Sequence, residues 1–243
     1  MLEKEKQKWD NIKTVKDFVD FIESKDLDVL GWQLHNRDLS KSGFWIGAHV
    51  KFDIDLENFL NEKPDIAPDE ISTANRTHQE IEEHKKYGSA NGYARHSINK
   101  NLAKIVEALG FEEGYSSYVN NQRPHNLLRR HSDLISCYIN EQQNILNQEF
   151  DKEKKQPKEA KPIWRCFVAL DDWHEGQIVN FEPDYWSHWK KGDVMFFDWQ
   201  NTAHSTANTG VKDRPLLKIT GTMKDDSFVH QSRETGKYKT FNV

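Results

Sequence analysis

From position 14 to 24 the chain reads TVKDFVDFIES. Val15, Phe18, Val19 and Ile22 fall three and four residues apart, the spacing of one apolar helix face. Thr14 and Asp17 stand where a capping box would close the first turn. A second and clearer amphipathic period covers 97–109, SINKNLAKIVEAL. It predicts a helix that starts from Ser97 as N-cap and stops at Gly110. Between these helices, residues 28–60 carry short aromatic segments, Gly43-Phe44-Trp45-Ile46-Gly47 and Val50-Lys51-Phe52, that read as strands or connections. The stretch 64–100 is polar and punctuated by Pro64, Pro68, Gly88 and Gly92, which suggests a helix near 76–86 and an open loop.

After Gly110 the period changes from helical to extended. Tyr115 to Asn120 and Asp133 to Asn140 read as strands, and β-branched and aromatic runs dominate from Ile163 to Gly221. Helices followed by closely spaced strands predict an α+β, mainly β chain, in which an N-terminal helical layer supports a β-sandwich or barrel. The strands are interrupted at 141–162 by a segment rich in Lys, Glu, Gln and Pro. Its composition suits a solvated surface loop, and a lid over a site is the alternative. No repeat or firm boundary divides the chain. The expected organisation is a single domain: a support region 1–110, a β core 111–222, and a C-terminal extension 223–243.

Composition narrows the setting. Of 243 residues, 36% are hydrophobic and 30% charged, a globular composition with a polar surface. No apolar run is long enough for a membrane span. The first residues, MLEKEKQKWD, lack the apolar stretch of a secretory signal. Cys137 and Cys166 lie in apolar strand-like segments and do not resemble a disulfide framework, which favours a cytoplasmic setting. The net charge of −5 argues against nucleic acid as a partner.

The candidate chemistry lies in the second half. If His131-Ser132-Asp133 is extended, positions i and i+2 share a face, so an imidazole and a carboxylate reach one point. A His-x-Asp tripeptide alone is weak evidence, and its meaning depends on a third ligand. Among eleven histidines, His204 has the best context. Lys191-Gly192-Asp193 reads as a tight turn feeding the buried strand 194–198, and His204 follows shortly after it. Two histidines and one carboxylate occupying one face of an octahedral ion leave three positions free, enough for a bidentate keto acid and dioxygen. Arg214, ten residues on, opens the run RPLLKITG. Its guanidinium matches a carboxylate through forked, charge-assisted hydrogen bonds. Lys218, on the same strand face, is the substitute anchor.

In this order and spacing, residues 115–222 resemble the 2-oxoglutarate/Fe(II)-dependent oxygenases, which carry His-x-Asp, a distal His and an Arg or Lys on a double-stranded β-helix (a jelly-roll, cupin-like fold). Tyr118 ahead of the ligand pair and the segment FVALDDWHEG, 167–176, belong to the resemblance. It implies that His131, Asp133 and His204 hold Fe(2+), and that Arg214 and Tyr118 contact 2-oxoglutarate. It further implies that O2 is consumed to hydroxylate a C–H bond, with release of succinate and CO2. The carboxylate at Asp133 favours hydroxylation over halogenation. Pro215-Leu216 departs from subfamilies that place a hydroxyl residue after the arginine, so Thr220, Tyr118 or Asn208 is left to assist. A small molecule ranks first as substrate and a peptidyl side chain second, and the oligomeric state is not legible.

Blander readings stand beside these. Arg214 would otherwise be a solvent-facing salt-bridge residue. His125, His174, His188 and His230 suit ordinary surface or hydrogen-bonded roles, and His125 and Arg130 flank the ligand pair. Trp173, Trp186, Trp189 and Trp199 suit packing more than substrate stacking. Two other classes also fit the pattern: a cupin-like metal enzyme that uses no keto acid, and a non-catalytic β-barrel binding protein.

Overall fold

The computed structural model describes residues 3–23, 43–65, 93–131, 147–153, 156–158, 161–181, 184–200 and 202–243. Helices α1 (Glu3–Asp10) and α2 (Val15–Glu23) open the chain. The capping box forms as its residues predict. Asp17 N–H donates to Thr14 Oγ1 at 3.1 Å, and Thr14 N–H donates to the Asp17 carboxylate at 2.8 Å. Those backbone donors, Thr14 first and Lys13 second, hold the Asp17 carboxyl below its ordinary range. Strand β1 (Phe44–Lys51), helix α3 (Leu56–Asn61), strand β2 (Tyr93–Ser97) and helix α4 (Lys100–Ala108) follow. The helix expected near 76–86 lies outside the described residues.

The start of α4 corrects the sequence expectation. Ser97 is the last residue of β2, paired with Tyr118, so it cannot cap the helix. Asn99 caps it instead, its Oδ1 accepting from Asn101 N–H and Leu102 N–H at 3.1 Å each. Cross-strand pairing outcompeted a good N-cap residue. The stop is as predicted: Gly110 takes φ +81°, which a side chain would disfavour.

The core strands are β3 (Ser116–Gln122), β4 (Asn126–His131), β7 (Trp164–Ala169), β8 (Gln177–Phe181), β9 (Tyr185–Trp186), β10 (Asp193–Phe197), β11 (His204–Asn208) and β12 (Arg214–Gly221). They lie in two sheets. The larger contains the order β10-β7-β12-β3, and the smaller is β4-β11-β8-β9. The sheets pack face to face: Val179 and Phe181 of β8 share one buried cluster with Phe167, Ala169, Met195, Phe197 and Leu216. Eight strands wound in this order are a double-stranded β-helix, the jelly-roll architecture that the sequence led us to expect. The turn into β10 is a tight one at Lys191-Gly192-Asp193. Gly192 sits at φ +95°, and a Cβ there would run into the Val50 carbonyl.

Segments outside 111–222 are built into this sheet. Strand β1 pairs with β10, and β2 pairs with β3. The C-terminal segment forms α5 (Ser227–Thr235) and β13 (Lys239–Asn242), and β13 pairs in parallel with β1. The 223–243 segment therefore contributes an edge strand to the large sheet. The polar insertion also departs from a purely solvated loop. It contributes the short strands β5 (Phe150–Asp151) and β6 (Gln156–Pro157). Phe150 is buried and stacked on Phe18 with ring centroids 4.3 Å apart. A bridge links Thr14 to Glu149, and Phe150 N–H donates to the Lys13 carbonyl at 2.8 Å. Phe150 thus docks part of this polar run against the first helices.

The large sheet is covered on its outer face by α4 and the segments around α3 and α5. Leu102, Ile105, Val106 and Leu109 meet Val119, Cys166, Val168, Leu217 and Ile219 in a second buried cluster. Each such side chain contributes roughly 1.5–3 kcal/mol by leaving water. Cys166 is a free thiol in this layer, and burial pushes its pKa up, so it behaves as a small apolar group. Cys137 lies outside the described residues. No helix among the described residues is long and apolar enough to cross a membrane.

Candidate active site

The space between the two sheets is not uniformly apolar. Along β11 burial alternates, so His204, Thr206 and Asn208 are buried while Ser205 and Ala207 are half-buried. On β12 all eight residues are buried. Leu216 belongs to the inner cluster, whereas Leu217 and Ile219 belong to the helix-covered one. Alternation therefore puts Arg214, Leu216, Lys218 and Thr220 on the inner face.

The register brings two of the three expected ligand positions together. His204 is the cross-strand partner of His131, with a register irregularity between His204 and Thr206. Directly opposed residues in an antiparallel pair have Cα atoms about 4.5–5.5 Å apart, and bulges near functional sites re-aim a side chain. Strand β4 ends at His131. Asp133, two residues further, lies outside the described residues, as does the predicted strand 133–140. Among the described residues no group of three His, Cys, Asp or Glu side chains could hold a metal ion.

His204 itself fits a ligand role. It is 4% exposed, and its Nδ1 lies 3.3 Å from the Thr202 carbonyl. A proton on Nδ1 donated to that carbonyl leaves Nε2 with its lone pair for a metal. Thr202 is in turn held by its N–H, which donates to the Asp198 carbonyl at 2.8 Å. The Phe197 and Phe181 rings flank the imidazole at 5.2 and 5.9 Å, which keeps water off it.

Arg214 is buried, 2% exposed, and is among the largest fully enclosed side chains of the chain. A solvent-facing salt bridge is thereby excluded. Its Nη1–H donates to the Ile178 carbonyl at 2.9 Å, so the guanidinium reaches from the large sheet to the small one. Ile178 is opposite Ala207, three residues from His204 along β11. The guanidinium thus lies about 10 Å along the strand from the His204 level, at 3.3–3.4 Å per residue. That is a separation a short dicarboxylate could bridge.

Tyr118 is opposite Lys218 on the same inner face, half-buried. The Arg95 guanidinium stacks over its ring at 4.1 Å, and Lys218 Nζ lies 5.6 Å from the ring centroid. The proposed helpers divide. Asn208 is committed to the fold: its Nδ2 donates to the Gln122 and Lys212 carbonyls at 2.9 and 2.8 Å, and its Oδ1 accepts from Gly210 N–H at 3.2 Å. It is a turn-building residue, not a free hydrogen-bonding partner. Thr220 Oγ1 accepts from Arg165 Nε at 2.8 Å.

Sequence reasoning passed over Arg95, Arg165, Gln122 and Thr202. Arg165 is 4% exposed and stacks on Trp199 at 3.9 Å. Gln122 and Thr202 are fully enclosed, and the Gln122 Oε1 and Thr202 Oγ1 atoms have no hydrogen-bond partner among the described residues. A signal existed for Arg165, a lone cation inside the apolar run Ile163-Trp164-Arg165-Cys166-Phe167. The remaining histidines have local roles. His125 and His188 sit in turns at φ +61° and +57°. His174 and His230 lie 3.3 and 3.4 Å from Asp171 and Asp226. The tryptophans pack: Trp186 and Trp189 are buried with rings 4.7 Å apart, and Trp199 Nε1–H donates to the Ile163 carbonyl at 2.9 Å.

No family model and no curated protein matches the sequence. Solved structures overlap it partially. A predicted oxalate decarboxylase from Thermotoga maritima is 14% identical, over 54% of this chain and 81% of its own, with TM-score 0.30. A cupin 2 conserved barrel domain protein from Salinispora arenicola is 7% identical, over 50% and 71%, with TM-score 0.26. Overlaps this loose carry no argument, and the architecture rests on the strand order above.

Proposed function

We propose that this protein is a 2-oxoglutarate- and Fe(II)-dependent dioxygenase that hydroxylates a C–H bond of a small molecule or an amino-acid residue. The supporting observation is the register. His204 and His131 are cross-strand partners inside a double-stranded β-helix, and a buried arginine reaches the same interior about three residues away. His131, Asp133 and His204 would hold the iron, which supplies dioxygen activation coupled to decarboxylation of the keto acid.

The remaining contributions are the chain's own. Arg214 pairs with the distal carboxylate of 2-oxoglutarate and fixes its direction along the barrel. The Thr202 carbonyl selects the tautomer of His204. Phe181, Phe197 and Trp199 line the inner cluster and exclude water, which strengthens each polar contact within it.

The test is anaerobic. Iron(II) followed by 2-oxoglutarate is expected to give a weak visible charge-transfer band, and aerobic turnover should release succinate. Iron bound with no band on adding 2-oxoglutarate would favour the cupin-like enzyme without a keto acid. No stoichiometric iron after gentle purification, in the parent or in His131→Ala, would favour a binding protein.

A further inference from the structure

The Arg214 end of the interior carries three buried side-chain amides, Gln122, Gln177 and Asn208. Two of them are hydrogen-bonded at both ends. Gln177 Nε2 donates to the Lys212 and Asp213 carbonyls at 3.1 Å each, and its Oε1 accepts from His174 N–H at 3.3 Å. Asn208 uses its amide on the turn that follows it and on the Gln122 carbonyl. Gln122 differs. It is 0% exposed, its Nε2 donates to the Asn126 carbonyl at 3.2 Å, and its Oε1 has no partner among the described residues. Turning this amide over would set its oxygen against the Asn126 carbonyl, so Oε1 is held as an acceptor. A buried acceptor without a donor is costly, and native interiors supply one from protein, water or ligand.

The space that Gln122 borders follows from the strand order. Gln122 and Arg214 are directly opposed on β3 and β12, and alternation from Val119 and Leu217 puts both on the inner face. Their backbones are one strand spacing apart, about 5 Å. Gln122 crosses to Asn126 on β4 and Arg214 crosses to Ile178 on β8, with β11 between these two strands. The ends of the two side chains therefore stand two spacings apart, roughly 10 Å. Asn208 of β11, opposite both Asn126 and Gln177, is the floor of this wedge. Above it the wedge opens along the inner face of β11 toward Thr206 and His204.

We propose that Gln122 is a specificity-determining residue for the distal carboxylate: in this wedge it holds a water that bonds both its Oε1 and the carboxylate on Arg214. Both oxygens only accept, and water is the smallest species that donates to two acceptors at once. Arg214 supplies the opposite charge, and the water fixes where the carboxylate lies across the wedge. Assigning that carboxylate to 2-oxoglutarate rests on the dioxygenase reading, whereas the contact of Gln122 with an anion on Arg214 does not.

Two titrations keep these apart. Glutarate carries the distal carboxylate and lacks the keto group, so its binding to the metal-free full chain, by calorimetry at low salt, needs no iron. Gln122→Met removes the acceptor at nearly unchanged volume and should weaken glutarate about threefold to tenfold, the scale of one net hydrogen bond. Arg214→Met should weaken it about tenfold or more, the scale of a charged partner. In the iron(II)-loaded chain without oxygen, Gln122→Met should weaken 2-oxoglutarate by the same factor as glutarate. It should leave 2-oxobutyrate unchanged, since that keto acid has the same chelating end and no distal carboxylate. Equal weakening of both keto acids would make Gln122 a purely structural residue and overturn the proposal. Glutarate binding that depends on Arg214 and not on Gln122 would overturn it too, and leave the dioxygenase reading standing. If Gln122→Met fails to fold by its thermal melt, a crystal structure of the parent protein with glutarate decides. A water touching both Oε1 and the carboxylate is expected there, and Oε1 bonded to a protein group overturns the proposal. Glutarate binding as expected, with no charge-transfer band from 2-oxoglutarate on the iron-loaded chain, would remove the dioxygenase reading and keep the Gln122 contact. Absence of binding by both glutarate and 2-oxoglutarate overturns both.

Discussion

The two faces of the large sheet are equally buried and chemically opposite. Toward the helices, Leu217 and Ile219 of β12 meet Leu102 and Ile105 in an apolar layer. Toward the small sheet, the intervening residues Arg214, Lys218 and Thr220 are 2%, 8% and 2% exposed. A single strand thus serves a core and a candidate site at once. Burial therefore does not distinguish the two roles, and polarity with a period of two does. Interior cations are expensive to desolvate, and among the described residues of β12 both cations fall on the face toward the small sheet.

The largest effect should come from the inner face. His204→Ala is expected to remove stoichiometric iron and reduce succinate release at least a hundredfold, read by metal analysis and product assay. An equal drop from an outer-face change such as Leu217→Ala would blur the contrast. Leu217→Ala should instead cost roughly 2–5 kcal/mol of stability by leaving a cavity, measured by denaturant titration. Its affinity for 2-oxoglutarate, measured well below the unfolding transition, should hardly change. Arg214→Lys keeps the charge and loses the fork, so the KM for 2-oxoglutarate should rise about tenfold or more, the scale of one charge-assisted hydrogen bond. A KM within twofold of the parent would move the anchor elsewhere, with Lys218 the first candidate. Thr14→Ala should cost about 1 kcal/mol through loss of its cap, with no effect on either ligand.

The smallest effect concerns pH. His96 lies under Phe59, 4% exposed, with ring centroids 5.5 Å apart. Burial pushes its pKa below the ordinary histidine value of 6.5 and outweighs Asp65 and Glu62, which raise it, while Arg123 lowers it further. Both folded and unfolded chains are neutral at this residue above that range. As pH falls through 6.5 the unfolded chain takes up the proton first, so stability declines until the folded-state pKa is passed. His96→Phe should flatten this part of the stability profile, and an unchanged slope in urea titrations at pH 7.5, 6.5 and 5.5 would assign it to other groups.

Local pattern was a good guide wherever one residue's neighbours in sequence are also its neighbours in space. The helix at 15–23 with its capping box and the stop at Gly110 needed only adjacent residues. So did the turn feeding β10. The N-cap of α4 moved from Ser97 to Asn99 because β3, twenty residues later, claimed Ser97 for a strand. Phe150 docked on Phe18 for a similar reason: its partner is 132 positions away in a segment of different composition. The inner row of cations was half legible, since Arg214 and Lys218 follow from alternation along RPLLKITG, but Arg95 and Arg165 come from other strands.

From the sequence alone came the mainly β class, the order His131, Asp133, His204, Arg214, and the residue types that a ferrous, keto-acid chemistry would need. Those are properties of side chains and of short-range periodicity, which a linear string preserves. Tertiary structure alone decided that His204 pairs with His131 across two strands, that Arg214 is enclosed, and that Lys218 and Arg95 share Tyr118. Register between distant strands is set by which faces are buried together, and burial is a property of the folded whole.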